Sequence, residues 1–175
     1  MGFWDYLQRK AKNKGLKFEE VSFNLPWEIG GIKFKNDPTK QRAAWSLYIE
    51  LVTRIAVQPL ENEQGLAREA MNSLYSLFAS TRNDLKAAGP GVGASINSVG
   101  GIAIAVLNRG LRPFLSKWHP LLQTWEAQRN PKTSPKEHEL KWSEEQNFRA
   151  ALEELRTELK QYANALAKIA GVDEE

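Results

Sequence analysis

The chain has 175 residues, 42% hydrophobic and 26% charged, the balance of one ordinary folded domain that buries its own core and not of a disordered chain. Its formal net charge is only +3, whereas a nucleic-acid binder usually concentrates basic residues more strongly. It contains no cysteine, which excludes disulfides and thiolate metal sites and fits a reducing cytosol.

The N-terminus lacks the apolar core and the cleavage site of a secretory signal. Tyr6 stands where the myristoylation pattern needs Ser or Thr. Residues 3–14 read as a short amphipathic helix, with Phe3, Trp4, Leu7 and Ala11 on one side, lysines and Arg9 largely elsewhere, and Gly15 as its stop. Aromatics beside lysines suit an anionic membrane surface or a docking partner; packing onto the rest of the domain is the plainer role. Over residues 16–35 the period changes to two. Val21, Phe23 and Leu25 alternate with polar residues, as do Ile32 and Phe34, so a small β-hairpin or extended arm is predicted with Gly30-Gly31 at its turn. Trp27, in this arm, is expected to point outward.

Asp37-Pro38 is an N-cap followed by a first-turn proline. The helix it opens carries Ala44, Tyr48, Leu51 and Ile55 on one stripe and ends at Gln58-Pro59. A second helix over residues 66–88 has Ala67, Ala70, Met71, Leu74, Phe78, Thr81 and Leu85 on its apolar side. The connector GPGVG at 89–93 has no lysine-Ser/Thr pair and no preceding strand, so it reads as a helix-to-helix turn and not as a phosphate loop. Residues 95–128 form the most apolar stretch and the centre of the design. Pro113 removes a backbone bond to Arg109, and with Gly110 beside it a kink is expected there, Pro120 being a second irregularity. Residues 130–142 read as a polar loop, and Ser143–Gln146 as a capping box. The last helix is the clearest, with Phe148, Leu152, Leu155, Leu159, Tyr162, Leu166 and Ile169 in alternating steps and Gly171 as its end. The fold class is therefore all-α: an antiparallel four-helix bundle over residues 36–175, decorated by the helix and hairpin of residues 1–35.

Chemistry is sparse. His138 lies in the charged loop and is expected to be solvated. With no Cys and no Glu-x-x-His pattern, no metal or other cofactor is expected, and Ser116 near His119 lacks any nucleophile signature. Arg112 and His119, six residues intervening, near the end of a bundle helix, resemble the motif of HEPN ribonucleases. That resemblance implies metal-independent RNA cleavage across a dimer cleft, with Arg112 stabilising phosphate charge and His119 moving a proton. The match covers eight residues and departs from the family pattern at Pro113, where a polar residue is usual. The same segment also reads as a filled bundle end, with Phe114, Leu115 and Trp118 inside. Arg109, Arg112, Lys117, Trp118, His119, Trp125 and Trp27 are expected to form a binding surface rich in interface residue types. The partner expected is another protein, a second copy of the chain included, ahead of nucleic acid or a membrane reached through Phe3, Trp4 and Leu7. The chain is thus expected to be a cytoplasmic accessory or regulatory protein, non-enzymatic in this reading, with the ribonuclease reading of Arg112 and His119 as the alternative.

Overall fold

The computed structural model describes residues 20–58, 61 and 64–172. The predicted helix of residues 3–14, with Phe3, Trp4 and Leu7, lies outside them. Strands β1 (Glu20–Leu25) and β2 (Gly30–Lys35) form an antiparallel hairpin in which Phe23 faces Ile32 and Leu25 faces Gly30. Helices follow: α1 (Pro38–Val52), α2 (Ala67–Ala88), α3 (Val99–Ala105), a π-helical segment (Val106–Leu111), α4 (Arg112–Glu126), the short α5 (Pro135–Glu139) and α6 (Glu145–Ala170). The chain is mostly helical, and no helix among the described residues is long and apolar enough to cross a membrane.

Helix α1 starts as the sequence predicts, with the Asp37 carboxylate accepting from the Thr39 and Lys40 N–H groups at 2.9 and 3.0 Å. It ends earlier than expected, at Val52, and a 3-10 turn over Ile55–Val57 carries the chain on. Ile55 consequently leaves the stripe and is 56% exposed. In α2 the buried row contains Leu77, and Phe78 is only partly buried. The GPGVG connector is a packed turn, a 3-10 helix over Pro90–Val92 with Val92 in the core. Helix α6 buries every residue of its predicted stripe and ends on Gly171 in the left-handed conformation at φ +74.

Asn36 at the head of α1 donates to the Ile169 carbonyl at the tail of α6, so these two helices run antiparallel. Helices α2 and α4 are likewise opposed, since Arg68 near the start of α2 meets Glu126 at the end of α4. Trp118 of α4 packs against Phe148 of α6 and against Trp142, with ring centroids 5.5 and 6.2 Å apart, and Phe114 lies 5.7 Å from Phe148. These aromatics close one end of the core.

The kink expected around Pro113 takes the form of the π segment. Arg112 N–H bonds the Leu107 carbonyl, five residues back, so the helix takes up the wider register just ahead of the residue that has no N–H. Pro120, by contrast, sits inside α4 without ending it. Gly110 lies within the π segment, and a Cβ there would come 2.6 Å from the Trp27 ring. The hairpin turns at Pro26–Ile29, closed by Ile29 N–H to the Pro26 carbonyl at 3.2 Å, and not at Gly30-Gly31, which open β2. Trp27 and Glu28 both adopt φ +58, a conformation that costs L-residues about 1–2 kcal/mol each. The turn is held by the Trp27 Nε1–H donating to Glu158 at 2.8 Å and by Arg109 donating to the Glu28 carbonyl at 3.3 Å.

Among the described residues, three buried side-chain atoms lack a hydrogen-bond partner: Asp84 Oδ2, Arg156 Nη1 and the Tyr162 hydroxyl. Burial, then the charge of Glu50, holds the Asp84 carboxyl above its ordinary 3.8. Burial, then Asp84, raises the Tyr162 phenol.

Two outcomes are expected. Gly110→Ala should lower stability by about 1–3 kcal/mol in thermal or urea unfolding; the cost should shrink in a Trp27→Ala background, because the colliding ring is gone. Since folding raises the Asp84 pKa, the native state holds that proton more tightly, and stability declines as pH rises through the window above 3.8. Asp84→Asn should therefore melt higher than the parent at pH 7, with the difference disappearing as pH falls below 3.8.

Candidate functional site

Helices α2 and α4 place side chains in facing rows. On α4, Arg112, His119 and Glu126 are spaced by seven, two helical turns, and so share one face. On α2, Arg68 and Tyr75 show the same spacing, with Phe78 one turn on. Antiparallel packing brings the rows into register. The Arg112 guanidinium lies over the Phe78 ring, 5.5 Å from its centroid, and its Nε and Nη2 donate to Asn108 at 3.2 and 3.1 Å. His119 meets Tyr75 edge to face, with centroids 5.4 Å apart. Arg68 donates to both carboxylate oxygens of Glu126, at 3.0 and 3.2 Å from Nε, and to His119 Nδ1 at 3.4 Å. Because arginine only donates, Nδ1 is the acceptor in this contact. The hydrogen bond to Glu126 is also the first cause that raises the Arg68 pKa.

At the foot of these rows α5 closes a cleft of about 340 Å³ lined by Leu66, Leu122, Trp125, Arg129 and His138, among others. Trp125 and His138 stack with centroids 4.4 Å apart and planes 10° from parallel. They also exchange hydrogen bonds: Trp125 Nε1–H to the His138 carbonyl at 3.0 Å, and His138 Nε2 to the Trp125 carbonyl at 2.7 Å. His138, expected to be solvated, is therefore a structural partner of Trp125. The polar loop predicted for residues 130–142 contains α5, started by a capping box between Ser134 and Glu137. No such box forms at Ser143; α6 begins after Glu144 with no side-chain cap.

Glu139, also part of the cleft lining, is only 6% exposed. Its carboxylate accepts from the Ala67 N–H at 2.8 Å and from Arg149 at 3.4 Å, with Lys136 at 3.9 Å. The α2 N-cap position is Leu66, which has no capping side chain, so Glu139 supplies the acceptor from a distant part of the chain. Burial is the largest influence on its pKa and raises it against the pull of Ala67, Lys136 and Arg149.

The residues expected to form a single binding surface separate into three groups. Arg112 and His119 belong to the α2/α4 rows, and Trp125 to the adjoining cleft. Trp118 is 2% exposed and part of the core, so it is not a surface anchor; Lys117 covers its ring at 4.6 Å. Trp27 is partly buried against the core and bonded to Glu158, so it does not point outward, and Arg109 is joined to the same hairpin. Arg68, Tyr75, Glu126 and Arg129 complete the site and were absent from the sequence expectation; the shared spacing of seven on two helices is the signal that marks the first three, whereas Arg129, just past the end of α4, carries no such signal. Among the described residues no group of three His, Asp or Glu is placed to hold a metal ion.

Burial decides how these positions respond to truncation. Trp118→Ala should cost about 3–5 kcal/mol of stability, while Tyr75→Ala, on the surface, should stay within about 0.5 kcal/mol of the parent; chemical denaturation of the two variants measures both. No known family model, curated protein or solved structure matches the chain.

Proposed function

We propose that this chain is a non-enzymatic interaction module, an accessory or regulatory subunit of the cytoplasm, that binds another protein through the α2/α4 rows. In this reading α1, α2, the α3–α4 rod and α6 make an antiparallel four-helix bundle that holds the rows on one outer face. The carrying observation is Tyr75: 43% exposed, yet fixed edge-on against His119 in a surface that also contains Arg112 on Phe78 and Arg68 on Glu126. Tyrosine and arginine dominate interface hot spots, and rings and guanidinium groups already held in place lose little freedom on binding. Affinity capture from the native host, with a photocrosslinker in place of Tyr75, should trap a stoichiometric partner. Tyr75→Ala and Arg112→Ala should each weaken that complex by about 2 kcal/mol or more with the melting temperature kept. Undiminished binding by both variants overturns the reading.

A second reading, ribonuclease activity by Arg112 and His119, is favoured by their common helix face, about 10 Å apart along the axis. It requires RNA cleavage by the purified protein that is lost in both Arg112→Ala and His119→Ala while each variant stays folded. Absence of cleavage by the parent protein removes it.

A further inference from the structure

We infer that the cleft between α2, α4 and α5 is the anchor pocket for the partner, and that it takes an acidic peptide segment carrying one bulky apolar side chain. The inference rests on the protein-binding reading above and adds the chemistry of what is bound. Leu66, Leu122 and the Trp125 ring supply the apolar part of the lining, beside Arg68, Glu126, Arg129 and Glu139, and the volume of about 340 Å³ is at the small end for ligand sites, in keeping with one side chain and its flanking backbone. One wall needs no rearrangement to receive it. The Trp125–His138 stack is tied by two reciprocal hydrogen bonds, so insertion fixes few new rotamers.

Charge selects the flanks of the peptide. The carboxylates at the cleft already have cationic partners: Glu126 is held by Arg68, and Glu139 by Arg149 and Lys136. Arg129 is exposed, and its side chain donates from Nη1 to the Thr133 carbonyl, which leaves its charge without a carboxylate among the described residues. Farther along the rows Arg112 is bonded to the neutral Asn108. The charged lining is two arginines and two glutamates, and Arg129 is the cation among them not engaged by a carboxylate, which favours Asp or Glu next to the anchor. A nucleic acid is the weaker match: backbone binding gains from many cations along a track, and one face of the Trp125 ring is already covered by His138.

Fluorescence anisotropy on the full chain tests this with four labelled probes: the peptide Glu-Glu-Trp-Glu-Glu, its Lys-flanked counterpart, the same acidic peptide with Ser for Trp, and a five-nucleotide single-stranded RNA. The acidic Trp peptide should bind at least about tenfold tighter than the other three. Arg129→Glu, an exposed change, should remove its advantage over the Lys peptide, and Leu66→Trp, which fills the cleft, should abolish binding. Equal binding of both peptide charges, preference for the RNA, or no binding of any probe overturns the inference. A partner crosslinked at position 75 but indifferent to Arg129→Glu and Leu66→Trp would sink the pocket assignment alone, whereas failure to capture any partner there would sink the underlying reading.

Discussion

Pro113 sets the constraint that much of this structure answers. Proline in a long helix has no N–H to give to the carbonyl four residues back, and its ring crowds that carbonyl. The chain does not break there; it widens into a π turn over Val106–Leu111 and resumes as α4. The wider turn contains Gly110, where the absence of a side chain lets the Trp27 ring sit on the backbone. Trp27 in turn holds the hairpin in a conformation it would not keep alone, with two left-handed residues at its tip. One missing donor in the middle of the chain is thus linked to where the β-hairpin docks.

The other end of the molecule is organised by a carboxylate. Glu139 comes from a five-residue helix, α5, whose own length gives it little intrinsic stability. By accepting the Ala67 N–H it completes the start of α2, and by pairing with Arg149 it joins both to α6. This arrangement places His138 over Trp125 and closes the cleft. The rows on α2 and α4 and the cleft below them are therefore held at one end by Glu139 and along their length by helix packing, while the aromatic knot of Trp118, Trp142 and Phe148 fills the core behind α4.

Much of the helical framework is legible in the chain. Asp37-Pro38 starts α1, the stripe of α6 is buried throughout, and Gly171 ends it, because caps and periodicity act within a turn or two of backbone. The errors occur where a local signal competes with a distant contact. Gly30-Gly31 looked like the turn of the hairpin, but docking of Trp27 on Gly110 moves the turn to Pro26–Ile29. Ser134-Pro135-Lys136-Glu137 carries a capping box that two prolines concealed, while the box expected at Ser143 does not form. Trp118 was expected on the binding surface, yet it lies in the core together with Trp142.

Local signals in the chain specify a mostly helical protein, the cap that opens α1 at Asp37, the end of α6 at Gly171 and which face of α6 is buried. Those properties depend on neighbours within four residues and on the 3.6-residue period. Contacts between distant elements set which aromatics are buried, that Glu139 caps a helix more than seventy residues earlier, and that Arg68 and Tyr75 stand beside His119. These depend on the register between helices, which is set by side-chain packing across the core and leaves no mark on either helix read alone.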